Sequence, residues 1–257
     1  RIESAQNNRL KQAAKWVGQP PSKLKSQGLA WCEGLHLALE VLSHAPDTVQ
    51  EVWVPEALWE NTEWQEYSYL ADHTELFEVN NSLFKKLSNL PSPTGPLIIF
   101  KPEQKQTKAQ PSAHWVVLDG IQDPGNLGTM LRTCAAAGIE NIALTNGCAW
   151  PWGEKALRAG MGAQWAVHLT GEQHLPEFKS HQILATHLSD TGVNLYECDL
   201  TKPTVWVFGH EGQGVSGKWL DKATACVRID QAESVESLNV AASCAVVLFE
   251  QRRQLRG

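Results

Sequence analysis

From Trp115 onward the sequence alternates short apolar runs with helical stretches, and that alternation restricts the C-terminal half to one architecture. Strand-type runs read at 115–119, 141–145, 166–169, 182–187, 205–209 and 225–229. Helical spacing reads at 124–138, 154–163, 172–179, 215–221 and from about 236 to 255. Strands apolar on both faces and separated by helices predict an α/β domain, a parallel sheet covered on both sides. In such sheets ligands bind beyond the carboxyl ends of the strands, so the segments that follow each strand are where chemistry is sought.

The first hundred residues are shorter-ranged. Ile2, Ala5, Leu10, Ala13, Ala14 and Val17 have helical spacing, ended by Gly18 and the Pro20-Pro21 pair. Strands at 29–32, 49–54 and 95–100 and helices at 34–42 and 83–90 make a small α/β unit. Residues 101–113 carry no large apolar side chain and read as a linker. The expected organisation is therefore a domain at 1–100, a linker at 101–113 and a domain at 114–257.

Composition narrows the class. No run of 18 apolar residues exists, and the N-terminal residues lack an apolar core of the kind a secretory signal needs, so a cytoplasmic protein with no membrane span is expected. The chain begins at Arg1 rather than at a methionine. Six scattered cysteines without a Cys-x-x-Cys pair argue against both a zinc site and a disulfide framework. The formal net charge of −6 disfavours non-specific polyanion binding by the whole molecule. The charge is uneven, however. Residues 1–30 hold six basic side chains against Glu3, whereas residues 31–100 hold Lys85 and Lys86 against eleven acids. A basic arm beside an acidic body can steer RNA, or it can be a solvated helix face.

Three segments after strands carry polar residues suited to a ligand. In the first, Asp123 suits a helix N-cap and Pro124 the first helical position, which puts Asn126 in the first turn and Arg132 in the helix body. Arginine offers a fixed fork of donors for phosphate, and asparagine both a donor and an acceptor. The second runs Gly209-His210-Glu211-Gly212-Gln213-Gly214, where glycines let backbone approach a ligand. It matches neither the dinucleotide fingerprint nor a Walker loop. The third, from Ile229 to Ala242, contains Ser237, a candidate cap for the last helix, and Asn239 in its first turn. Taken singly, each segment reads as readily as capping and surface chemistry.

Together, in this order, they resemble the three motifs of the SpoU/TrmH branch of the SPOUT methyltransferases. Asp-Pro-x-Asn-x-Gly-x-x-x-Arg spans 123–132, Gly-x-Glu-Gly-x-Gly spans 209–214, and Ser-Leu-Asn-Val spans 237–240, followed by a helix ending in Glu250-Gln251-Arg252-Arg253-Gln254. Asn8, Glu33-Gly34 and Phe84-Lys85-Lys86-Leu87-Ser88 more loosely resemble the substrate-binding domain that precedes this fold. The resemblance implies a C-terminal α/β trefoil-knot domain behind a small α/β RNA-binding domain. It implies S-adenosylmethionine as cofactor, held by Gly209, Ile229 and Leu238 with Gly212 and Thr186 beside them, and no metal. It further implies methylation of a ribose 2′-hydroxyl in RNA, ribosomal RNA in preference to transfer RNA, by a homodimer. Asn126, Ser237 and Asn239 would position ribose and methyl donor, and Glu211 would accept a proton or orient Arg132. Arg132 would clamp a phosphate and could serve the partner's cofactor. The family's matched arginine has been proposed as the base, but a free guanidinium holds its proton far too tightly to be a good one.

Two positions depart from the family pattern. Asp230-Gln231 stand where Pro-Met is usual, and a buried carboxylate there would be costly unless paired. Gly160 stands where serine is frequent. These departures are the support for the alternative, a catalytically inactive knotted protein that binds RNA. A nucleotide-binding oxidoreductase would need a glycine-rich turn after the domain's first strand, where this chain has Gln122-Asp123-Pro124.

Overall fold

The elements begin and end where local chemistry dictates. The computed structural model describes every residue except 72, 73, 92, 94, 104–112, 188–191, 233, 236 and 257, so most of the expected linker lies outside the described residues. Residues 1–103 with 152–165 form one compact unit, and residues 104–151 with 166–257 another.

In the first unit, α1 (Asn8–Val17) starts later than its apolar spacing suggests. The Asn7 side chain accepts from the amides of Arg9 and Leu10 at 2.8 and 3.2 Å, which fixes the N-terminus there. Ile2 instead bridges to Val79. A short α2 (Pro21–Gln27) uses Pro21 at its first position and left-handed Gly28 as its stop. Then follow β1 (Ala30–Glu33), α3 (Leu35–His44), β2 (Val49–Pro55), α4 (Thr62–Tyr67), β3 (Glu75–Val79), α5 (Asn81–Leu87) and β4 (Leu97–Phe100). The sheet order is β1-β4-β2-β3, with β4 antiparallel to both neighbours and β3 parallel to β2. Part of the N-terminal positive charge is consumed internally. Arg9 pairs with Glu75 and, at 3.0 Å, with buried Glu51, and Arg1 pairs with Glu3 and Glu56. The lysines of α1 and α2 are left to supply any basic face. Glu33 and Ser88 meet: the Ser88 hydroxyl lies 2.7 Å from both carboxylate oxygens.

The second unit opens with β5 (Trp115–Asp119), α6 (Pro124–Ala137) and β6 (Asn141–Leu144). The chain then passes through α7 (Glu154–Gly160) and a single turn, α8 (Ala163–Ala166), where residues 152–165 pack within the first unit. Gly160 leaves the space taken by the buried Gln164 side chain, whose amide donates to the Ala156 carbonyl at 3.0 Å. The second unit resumes with β7 (His168–Gly171), β8 (Gln182–Thr186), β9 (Val193–Asn194), β10 (Thr204–Gly209), α9 (Gly217–Leu220), β11 (Ala225–Arg228) and α10 (Val240–Arg256). The helix expected at 172–179 is a single 3-10 turn at 172–174, because Pro176 biases Leu175 to extended backbone. All seven strands are parallel, in the order β7-β6-β5-β10-β8-β11-β9. β5 and β10, side by side at the centre, are buried along their whole length.

The end of α10 is pinned by polar groups. Buried Gln251 accepts from the Trp206 indole at 2.9 Å and donates to the Leu200 carbonyl at 3.3 Å. Arg252 donates to the last carbonyl of α6, Ala137, at 2.8 Å. Thus the Gln-Arg ending of the third motif fastens α10 to the sheet and to α6.

Candidate active site

Because the sheet is parallel, Asp119, Thr186, Gly209 and Arg228 end their strands along one edge. Asp119 joins two of those ends. One carboxylate oxygen accepts from the Ser216 amide at 2.8 Å and the other from the Thr145 hydroxyl at 3.1 Å, so the turn after β10 is held beside β5.

One contact within the first loop and two between loops complete the arrangement. Asp123 caps α6 by accepting from the Asn126 amide at 2.7 Å. The Asn126 side-chain NH2 donates to Glu211 at 3.1 Å, and its oxygen accepts from the Asn239 side-chain NH2 at 3.1 Å. Asn239 in turn accepts from the amides of Ala241 and Ala242 at 2.9 and 3.3 Å, so it caps α10, the role expected of Ser237. The line Glu211–Asn126–Asn239 therefore runs across all three segments and fixes which way each amide faces.

Partial burial pushes the Glu211 carboxyl up. Hydrogen bonds from Asn126 and from the backbone of Glu211, Asp123 and Gln122 outweigh it, and the group lies below the usual carboxylate range. Glu211 is thus an ionised anchor at neutral pH, and its partner is Asn126 rather than Arg132. Being depressed on folding, it stabilises the network above its unfolded value, and that contribution is lost as pH falls through the folded one.

A cleft of about 440 Å³ lies against this edge. Its lining includes Thr186, Gly209, Glu211, Gly212, Ile229, Ser237, Leu238 and Asn239 from the expected set, and adds His187, His210, Arg228, Gln231 and Ser243. Asn126 stands behind it through Glu211 and Asn239. Arg132 does not line it. It lies six residues along α6 from Asn126, exposed, with no hydrogen bond or ion pair among the described residues. His210 organises the glycine turn: its Nδ1 accepts from the amides of Gly212 and Gln213 at 2.9 and 3.2 Å, and its carbonyl accepts from Gly214 at 2.8 Å. Nothing in sequence separates such a histidine from a solvent-facing one. The Nδ1 of His187 is buried without a partner among the described residues.

Asp230 corrects an expectation. It is exposed rather than buried, pairs with Arg228, and accepts from the Asn194 side chain at 2.7 Å.

The cleft suits a nucleoside carrying a polar arm. Its size lies in the range of cofactor sites, and backbone donors of a glycine turn stand beside hydroxyl and amide side chains. At Gly209 there is no room for a side chain, because a Cβ would fall 2.1 Å from the backbone of Gly214 and Val215. Among the described residues no group of three His, Cys, Asp or Glu could hold a metal ion, and no helix is long and apolar enough to cross a membrane.

The model of the SpoU rRNA Methylase family matches residues 113–249. An uncharacterized tRNA/rRNA methyltransferase of Synechocystis is 35% identical over 98% of this chain and 93% of its own. The 23S rRNA (guanosine(2553)-2′-O)-methyltransferase RlmP of Bacillus subtilis is 27% identical over 98% of both chains. The crystal structure of an AdoMet-bound rRNA methyltransferase from Sinorhizobium meliloti superposes with a TM-score of 0.84 at 26% identity, covering 99% of this chain and 97% of that one.

Proposed function

This chain belongs to the SpoU rRNA methylase family, and from that premise we propose that it transfers a methyl group from S-adenosylmethionine to a ribose 2′-oxygen of RNA. The observation that carries the reading is the joining of three separated loops, through Glu211, Asn126 and Asn239, at the edge of one cleft. Bound S-adenosylmethionine supplies an electrophilic methyl group on a sulfonium. Gly209, Ile229 and Leu238 would hold it, with Gly212 and Thr186 beside them. The fixed amides of Asn126 and Asn239 orient the ribose, and alignment of this kind contributes up to roughly 7–11 kcal/mol in the best cases. Arg132 clamps the phosphate next to the reacting ribose through the fixed fork of its guanidinium donors.

The test is transfer of tritiated methyl to unmodified RNA, followed by nuclease digestion. The expected product is a 2′-O-methylated nucleoside. Label confined to bases, or no transfer at all, would overturn the assignment. Ribosomal RNA is the preferred target, because likeness to the B. subtilis 23S rRNA enzyme runs the length of both chains. The trefoil threading of the chain's end belongs to the same reading.

The active form is a homodimer in this proposal. Arg132 stands outside its own chain's cleft, and Ala242, Val246 and Phe249 share one face of α10, opposite the buried stripe of Ala241, Cys244, Val247, Leu248 and Gln251. Phe249 is 48% exposed, a large apolar side chain suited to an interface anchor. Phe249→Asp is expected to weaken self-association by roughly 30-fold or more, the order for loss of an aromatic anchor. Sedimentation equilibrium checks this, and an unchanged association constant would remove the α10 face from the interface.

A further inference from the structure

The wall of the cleft carries a cation whose counter-charge stands outside it. Arg228, Ile229 and Gln231 line the cleft, whereas Asp230 does not. The Asp230 carboxylate pairs with the Arg228 guanidinium through one oxygen and accepts from Asn194 at 2.7 Å through the other. Arg228 also donates from Nε to the Gly192 carbonyl at 3.3 Å. Asn194 belongs to β9, which pairs with β11 at Arg228, so the carboxylate is braced from two strands.

The two charged side chains are 40% and 55% exposed, and a pair this open adds little to folding stability. Its effect on the cleft is another matter. S-Adenosylmethionine presents a sulfonium cation, and in a cleft of about 440 Å³ no bound group is far from the wall. An uncompensated guanidinium there would repel the methyl donor. The demethylated product, a thioether without that charge, would be far less affected.

We propose that Asp230 is a positioning residue that neutralises Arg228 and so keeps the cleft open to the cationic donor, which a bare guanidinium would disfavour relative to its neutral product. This inference rests on the cofactor assignment above. Its chemistry is charge selectivity. With Asp230 in place the local field does not oppose the sulfonium, and the thioether left after transfer is little affected by it.

Calorimetric titration of S-adenosylmethionine and S-adenosylhomocysteine separates this role from a merely structural one. In Asp230→Asn, which keeps shape and an acceptor for Asn194, affinity for the donor is expected to fall about fivefold more than affinity for the product, the order for one unit charge several ångströms away in a partly wet site. Adding Arg228→Gln to Asp230→Asn removes the stranded cation and is expected to restore the wild-type ratio of the two affinities. Thermal unfolding of each variant verifies that the fold is retained. Equal weakening of both ligands, or a ratio the second substitution fails to restore, would overturn the proposal. If the unsubstituted protein bound neither ligand, the cofactor assignment itself would fall, and this inference with it.

Discussion

Arg132→Ala is expected to lower methyl transfer by about two orders of magnitude or more, the scale set by loss of a positioned charge in a reacting site. Affinity for S-adenosylhomocysteine should barely change, because the role proposed for Arg132 is to hold the RNA phosphate and not the cofactor. The side chain is exposed on α6 and unpaired among the described residues, so its removal leaves no buried partner stranded and little stability is lost. If Arg132 serves the partner's cleft, complementation follows. Arg132→Ala and Asn239→Ala should each be inactive alone. Subunits carrying one substitution each, when mixed, form hybrid dimers in which one of the two composite sites is intact, about a quarter of all sites at random assortment. Recovery of transfer in the mixture is the expected result. A mixture as inactive as its components would place Arg132 in cis, and near-normal turnover by Arg132→Ala would remove it from the chemistry.

The parts of this molecule readable in its sequence are those fixed by short-range or periodic signals. β5 falls at 115–119 as expected, because a strand buried on both faces must be apolar throughout. α6 starts at Pro124 because Asp123 caps it locally. What sequence hides is set by distant partners. β3 carries Glu75 and Glu78 on an edge strand, and only its pairing with β2 makes it a strand. α10 begins at Val240 because Asn239, and not Ser237, takes the cap, and two polar residues so close together give no local reason to choose. The helix expected at 154–163 is present as α7, ending at Gly160, but the association of residues 152–165 with the first unit depends on packing that periodicity does not encode.

The candidate site divides in the same way. Asn126, Glu211 and Asn239 stood out through motif resemblance, and the coordinates join them directly. Arg132 belongs to the same motif as Asn126 and lies elsewhere on α6, outside the cleft, since a motif fixes spacing along the chain and not which side chains meet in space. At Asp230 a buried carboxylate would be costly unless paired, and the structure leaves it exposed and pairs it with Arg228 of β11 and Asn194 of β9. Arg228 stands two residues earlier in the chain, but Asn194 reaches the carboxylate only through the pairing of β9 with β11, which no local signal announces. His210 is hidden for the opposite reason: its partners are its own next residues, but only the closed turn brings their amides onto Nδ1.

Gly209→Ala is expected to weaken S-adenosylhomocysteine binding by roughly 100-fold or more and to lower folding stability by about 1–3 kcal/mol, the range for overpacking a closed site. The reason is space rather than backbone conformation. A Cβ at this position would lie 2.1 Å from the Gly214 carbonyl carbon and the Val215 nitrogen, atoms of a turn that Asp119 holds through Ser216 and His210 holds through Gly212 and Gln213. The turn must therefore open, and with it goes the wall that Gly209, Glu211 and Gly212 give the cleft. Gly217→Ala is the control, because a Cβ there meets nothing within 4 Å and lies outside the cleft. Calorimetry and thermal unfolding on both variants decide the matter. Wild-type affinity in Gly209→Ala would mean that the glycine turn does not close on β10 and that the cradle built from it is wrong.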